Sequence, residues 1–383
     1  MAGLGRLGDL SGTEVTVYWR NRPIRAWVPR PLAGRTLDLS SSTIRRTEQA
    51  AGAVRRASEH LPPRWKPLAR LLLRAEGIAS SRIEELRAPL AEVAAAELDA
   101  ELDTTAAWIA DNLAVVAQAI SSAHSESLSV ELLHSWHTRL MRHGALPEEM
   151  VGVFRSVQGW VGGTTPTTAA FVPPPPELIP ALVDDLVAFS NQTDTDPVTQ
   201  SAVAHAQFET IHPYGDGNGR IGRVLVSWIL ARRLAVSVPP PVSVFIAQER
   251  GPYLSGLYRF RTGGLDEWVG WFADIVVRSG DGSASLVDRV QGLLVEWEQR
   301  LSDVRADAAA RRLVAILPEH PVVSASLVAG AVGVSERAGR DALEALRERE
   351  IVVPSDVGLR RAGRPRNWWV ARELVDLVTT WTQ

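Results

Sequence analysis

The chain has 383 residues and a formal net charge of -3, with 45% hydrophobic and 22% charged residues. That is the balance of a folded protein with room for two or three domains. It has no cysteine, which removes disulfides, thiolate metal sites and cysteine nucleophiles together. No global basic field points to nucleic acid. Lys66 is the only lysine, so a P-loop or Schiff-base lysine is nearly excluded, and any phosphate must be met by arginine and backbone N–H groups. No apolar run reaches membrane-spanning length, and "MAGLGRLGDLSG" lacks the apolar core of a signal peptide. The expected setting is therefore cytoplasmic, without membrane contact.

In chain order, "EVTVYWRNRPIRAWVPRPLAG" is a β-prone run broken by prolines and predicts an irregular arm or a small hairpin up to about Leu39. Helical spacing begins at Ser41 and continues after Pro62 and Pro63 in "PPRWKPLARLLLRAEGIASSRIEEL". At least two more helices are expected in "APLAEVAAAELDAELDTTAAWIADNLAVVAQAISSAHS" and "SVELLHSWHTRLMRHG". Between Phe154 and Pro180 the rhythm fails. Alternation around Gly162 and Gly163 predicts a hairpin, and Pro173 to Pro176 an extended exit. Helices return in "ELIPALVDDLVAFSNQ" and "PVTQSAVAHAQFETI", and the helical domain is expected to end near Gly282. The organisation predicted is an N-terminal helical region over 1–105, a core over 106–282, a linker helix over 283–310 and a C-terminal module over 311–383.

"IHPYGDGNGRIGR", Ile211 to Arg223, concentrates the polar chemistry. A glycine-rich loop opening into a helix aims unpaired N–H groups and the positive end of the helix dipole at one spot. Gly217 and Gly219 permit close approach of an anion, and Asn218 adds a side-chain amide. Arg220 and Arg223 share a face of the first turn and can clamp phosphates. Asp216 is a hard oxygen ligand suited to Mg²⁺, and His212 is the natural general base near neutral pH. A dinucleotide-binding fingerprint would need a strand before the glycines, where the sequence looks helical, and a calcium loop would need oxygen ligands where Arg220 stands. A plain capping loop leaves the arginines and histidine unexplained. The pattern is that of a phosphate-transfer site.

"HPYGDGNGRIGR" resembles the signature of the Fic family, His-Pro-Phe-x-Asp/Glu-Gly-Asn-Gly-Arg-x-x-Arg, with Tyr214 for Phe as the single departure. The resemblance covers roughly residues 15 to 280. It implies a mainly α fold: an all-helical core with a small β-hairpin flap. It also implies transfer of AMP from ATP to a Ser, Thr or Tyr hydroxyl of a target protein or of the chain itself. By position, His212 would deprotonate the hydroxyl and Asp216 would hold Mg²⁺ on the phosphates. Gly217, Asn218 and Gly219 would form the anion hole beside Arg220, and Arg223 would grip the γ-phosphate. The stretch "SVQGWVGGTTPTTAAFVPPPP" is similar to the family's flap, with Val161, Gly162, Gly163 and Thr164 facing the target segment by strand addition. "FIAQERGPYLSGLYRF" stands where the family closes the nucleotide pocket.

"EGIASSRIEEL" resembles the inhibitory motif Ser/Thr-x-x-x-Glu-Gly/Asn of one class of the family. Ser80 and Glu84 match, while Glu85 holds the Gly/Asn position. The resemblance implies that Glu84 pairs with Arg223 and fills the γ-phosphate place. Glu85 is a poor residue for the C-terminal cap that Gly or Asn would favour.

The C-terminal stretch resembles a winged helix-turn-helix: "ASLVAGAVGVSERAGRDALEALREREIVVPSD", then a basic turn with Arg360, Arg361, Arg364 and Arg366, then a strand at Trp368 to Val370. One use puts Ser335, Arg337 and Arg340 in a DNA groove; the other is dimerisation or target docking, since Glu336, Asp341, Glu344, Glu348 and Glu350 oppose a DNA face. Two function classes follow: a protein-modifying enzyme, or a DNA-binding regulator with a vestigial core. A different nucleotide donor is the further alternative. His134, His137 and His143 have the spacing of a metal site but no evident carboxylate, and read as a half-exposed helix face.

Overall fold

The computed structural model describes residues 11–62, 64, 66–98, 104–355 and 368–383. Strands β1 (Thr13–Trp19) and β2 (Arg22–Val28) form an antiparallel hairpin. Its turn residues, Arg20 and Asn21, both take positive φ, the backbone that matches strand twist. Helices α1 (Ser41–Glu59), α2 (Lys66–Ile83), α3 (Leu90–Ala96), α4 (Thr105–Ser122) and α5 (Val130–Leu140) follow. After an irregular stretch come α6 (Ile179–Asn191), α7 (Pro197–Ile211), α8 (Asn218–Leu234), α9 (Val242–Gln248), α10 (Arg250–Arg261) and α11 (Leu265–Arg300). The remainder holds α12 (Ala309–Val314), β3 (Val322–Val323), α13 (Ala325–Val332), α14 (Glu336–Glu348), β4 (Val353–Ser355), β5 (Trp368–Val370) and α15 (Arg372–Thr382). The fold is mainly α.

Helices α7 and α8 are buried on nearly every face, which places the pair at the centre of the bundle. Phe208, Ile211, Ile221, Val224 and Trp228 anchor this pair in the main core, together with residues of α1, α4, α5, α6 and α11. The loop between α7 and α8 is thereby fixed at one end of a fully packed helix pair.

The expected break near Gly282 is absent: α11 runs unbroken to Arg300. Its glycines serve contact instead. A methyl group at Gly280 would lie 2.8 Å from the Ala53 carbonyl oxygen, and one at Gly282 would lie 2.6 Å from the Phe245 ring. The C-terminal part also shares a core with the N-terminal region, since Leu68, Leu71 and Leu72 of α2 pack with Leu286 and Val290 of α11 and with Leu313, Leu343 and Leu374. Its sheet is antiparallel in the order β3-β5-β4. Arg360, Arg361, Arg364 and Arg366 lie outside the described residues. Among those described, no helix is long and apolar enough to cross a membrane.

The hairpin expected at Gly162 and Gly163 is reduced to a single antiparallel bridge, Val161 with Phe171. The returning leg enters Pro173 to Pro176, which have no N–H to give to a ladder.

Candidate active site

Helix α7 ends where His212 turns into the left-handed region, φ 50° and ψ 60°, with its N–H still bound to the Phe208 carbonyl at 2.8 Å. Asn218 then pins the turn. Its Oδ1 accepts the Tyr214 N–H at 2.8 Å, and its Nδ2 donates to the Tyr214 carbonyl at 2.9 Å. The side-chain amide is thus committed within the loop, which leaves the Asn218 backbone N–H as its group at the cradle. Tyr214 has no helical partners, and one amide supplies the donor and the acceptor it needs. Gly217, at φ 77°, caps α8. Beyond it the N–H groups of Asn218, Gly219 and Arg220 have no intrahelical acceptor, so the cradle is made of backbone.

Helix α2 ends in a left-handed cap despite its glutamate. Leu86 N–H reaches the Ser81 carbonyl at 3.1 Å and Glu85 N–H the Arg82 carbonyl at 3.0 Å, with Glu85 at φ 65°. This is the paired bonding that normally calls for glycine. The cap aims Glu84 at α8. Arg223 Nη2 donates to Glu84 Oε1 at 2.8 Å and to the Ser80 carbonyl at 2.9 Å, while Nε donates to Ser80 Oγ at 2.9 Å. A methyl group at Gly219 would lie 2.0 Å from Glu84 Oε1, so the carboxylate rests against the mouth of the cradle. Ser80, Glu84, Gly219 and Arg223 are therefore in one place.

Burial raises the Glu84 carboxyl, but Arg223 more than offsets this and holds it below the usual range. Arg223 is buried and held charged by the Glu84 carboxylate beside it. Burial, then the charge of Arg155, pushes the His212 imidazole down to about 4, so it is neutral at physiological pH. Glu209, one turn before His212, is raised to about 7 by burial, with Oε1 unpartnered. Arg220 is buried and lies 3.7 Å from the exposed Asp216 carboxylate, one oxygen of which accepts the Gly217 N–H at 2.6 Å. No group of three or more His, Cys, Asp or Glu among the described residues forms a metal cluster.

Val161, Gly162, Gly163 and Thr164 are exposed at the flap. Val161 N–H donates to the Phe171 carbonyl at 2.8 Å and Phe171 N–H returns a bond to Val161 at 3.2 Å. Sequence reasoning missed what holds this segment. Arg155 is buried and donates Nε to the His212 carbonyl at 2.9 Å, Nη1 to the Val157 carbonyl at 2.9 Å and Nη2 to the Pro174 carbonyl at 2.6 Å. Gln158 Nε2 donates to the Pro173 carbonyl at 2.9 Å, and Trp27 N–H of β2 to the Val172 carbonyl at 2.9 Å. The proline run signals only that this leg cannot build a ladder, not which side chain ties it down.

Of the three histidines, His134 and His143 are half-buried as expected, and His137 departs from the half-exposed face. His137 is fully buried, stacks on Tyr214 with ring centroids 4.0 Å apart, accepts the Gly152 N–H at 2.8 Å and donates Nε2–H to the Asp216 carbonyl at 3.1 Å. His134 Nδ1 meets the Tyr214 hydroxyl at 3.1 Å. His143 Nδ1 meets a carboxylate after all, Asp111 of α4, at 2.6 Å. In the C-terminal part, Ser335 caps α14 through the Ala338 N–H at 3.2 Å. Arg340 lies 3.6 Å from Glu336 on the same helix.

Residues 127–230 match the Fic/DOC family. The chain is 31% identical over 157 residues to protein adenylyltransferase fic-1 of Caenorhabditis elegans, covering 40% of this chain and 28% of that protein. It is 36% identical over 98 residues to a probable protein adenylyltransferase of Aquifex aeolicus, covering 25% of this chain and 28% of that one. It thus spans little more than a quarter of the length of these relatives. In fold it is similar to a Fic family protein from Desulfovibrio desulfuricans, with a TM-score of 0.55 at 22% identity over 87% of this chain and 97% of the other. The matched residues 127–230 carry the His212-to-Arg223 loop, so the likeness to the Fic/DOC family rests on the segment that holds this site.

Proposed function

We propose that the chain transfers AMP from ATP to a hydroxyl side chain of a protein, and that Glu84 restrains the reaction. The observation that carries this reading is the meeting of Glu84 and Arg223 at 2.8 Å beside the N-terminus of α8, one loop away from a neutral His212. Arg223 would take the γ-phosphate once Glu84 withdraws, and the N–H groups of Asn218, Gly219 and Arg220 would hold the α-phosphate. His212 would take the proton of the target hydroxyl as its oxygen attacks the α-phosphorus. The bond from that phosphorus to the bridging oxygen breaks, and pyrophosphate leaves. The names of the curated relatives support the same reaction.

Asp216 suits Mg²⁺ arriving with the nucleotide: it is exposed, stands on the cradle's lip and keeps an oxygen free of hydrogen bonds within its own loop. A single carboxylate is enough where phosphates and water complete an octahedral shell. The metal would neutralise charge on the phosphates; the chain's residues orient them and move the proton.

We read residues 311–383 as a winged helix-turn-helix that docks on protein rather than DNA. Pairing of Arg340 with Glu336 and of Arg347 with Glu344 leaves α14 little net charge for phosphates.

The test is intact-mass analysis of Glu84→Gly incubated with each nucleoside triphosphate in turn, alone and with cell lysate. A gain of one AMP on the chain or on a lysate protein supports the reading. A gain with another nucleotide alone, or no gain, overturns it.

A further inference from the structure

Arg155 bonds three carbonyls that belong to three different segments. Those of Val157 and Pro174 lie on the two legs of the flap, and that of His212 lies at the end of α7. Its own N–H donates to the Pro213 carbonyl at 2.9 Å, so backbone and side chain grip consecutive residues of the catalytic loop. The side chain is 5% exposed, and a buried guanidinium is retained only where its donors are met. The local reason is the proline leg. Ladder bonding stops at Phe171, so one planar fork replaces the missing cross-leg bonds. Gln158 adds a second tie to the same leg, at Pro173.

We propose that Arg155 is a positioning residue that holds His212 and both legs of the flap as one unit, so that a segment seated on the flap edge meets the imidazole in register. This rests on the reading of His212 and the flap given above. Among the described residues, no other side chain hydrogen-bonds both to His212 and to the flap. Among the described residues, the remaining hydrogen bonds of the flap run within it, between its legs or to β2. Lysine at this position could keep one of the three bonds but not the fork.

Three proteins decide it, all carrying Glu84→Gly: the parent, Arg155→Met and Arg155→Lys. Three readouts are taken: ATP affinity, incorporation of labelled AMP from saturating ATP into the chain and lysate proteins, and amide exchange of residues 157–174 and 211–217. For Arg155→Met, incorporation is expected to fall about a hundredfold, the cost of roughly 1 Å of misplacement, with ATP affinity within about threefold. Exchange should quicken about tenfold in both segments together while α8 stays protected. Arg155→Lys should recover about a tenth of the parent rate. Incorporation by Arg155→Met within about threefold of the parent would overturn the proposal. Parallel loss of ATP affinity and of α8 protection would also overturn it, because Arg155 would then be a general stabiliser. If the parent itself incorporates nothing, the reaction reading fails, and the paired or unpaired rise in exchange still decides whether Arg155 couples the two segments.

Discussion

Arg223 is held on three sides by one turn of α2: Glu84 Oε1 at 2.8 Å, the Ser80 carbonyl at 2.9 Å and Ser80 Oγ at 2.9 Å. On the proposed reading, the serine would be as much a part of the restraint as the glutamate. Removing a buried acceptor from a charged donor typically costs about 1.5–3 kcal/mol. Ser80→Ala should therefore raise AMP incorporation, by less than Glu84→Gly does, because the carboxylate still fills the cradle. Incorporation of labelled ATP by the two variants side by side checks the order.

Glu85 sits in a left-handed cap at φ 65°, a conformation that costs a residue with a Cβ about 1–2 kcal/mol. Glu85→Gly relieves this, partly offset by the greater freedom of the unfolded chain. The exposed pair with Arg250 at 3.1 Å is a surface contact and a minor loss. The variant should unfold at higher urea concentration by about 1 kcal/mol and, with Glu84 unchanged, incorporate less AMP than the wild type. A lower midpoint would mean that the strain is not there.

His212 has its pKa lowered to about 4 by burial and by Arg155, so the base form is present across the neutral range. Incorporation should be flat from pH 8 to about pH 6, without the inflection of an ordinary histidine near pH 6.5. His212→Ala should abolish transfer while ATP affinity, measured by calorimetry, stays within about threefold. A wild-type rate that halves near pH 6.5 would contradict the assigned environment.

Glu209 has the opposite shift, raised to about 7 by burial. The unfolded carboxyl loses its proton near pH 4.5 and the folded one near 7, so between these values the folded state binds more protons. Stability contributed by Glu209 is present at low pH and lost as pH rises through that window. Glu209→Gln should remove the decline, and its advantage in melting temperature should grow from pH 5 to pH 8. An advantage independent of pH would show that Glu209 is ionised throughout.

The meeting of Glu84 and Ser80 with Arg223 at the His212-to-Arg223 loop was legible because residue type at fixed spacing and local backbone rules place those side chains. Helices α7 and α8 were legible as helices, and their central position follows from burial on nearly every face. Arg155, His137 and the real task of Asn218 were not, for one shared reason. Each satisfies backbone groups of a turn, and which carbonyl or N–H lacks a partner is known only once the chain has folded. The continuity of α11 was hidden because Gly280 and Gly282 look like breakers while serving as contact points for Ala53 and Phe245. The αL cap at Glu85 shows the converse. Tertiary placement of Glu84 overrides a local preference of about 1 kcal/mol.

The central claim is that Arg223 is contested between Glu84 and the γ-phosphate. The most direct measurement is labelled AMP incorporation from ATP by wild type and Glu84→Gly at equal concentration, with ATP affinity taken alongside. The account predicts that Glu84→Gly incorporates about tenfold more or better, with Arg223→Ala abolishing the gain. Equal incorporation by wild type and Glu84→Gly would contradict it.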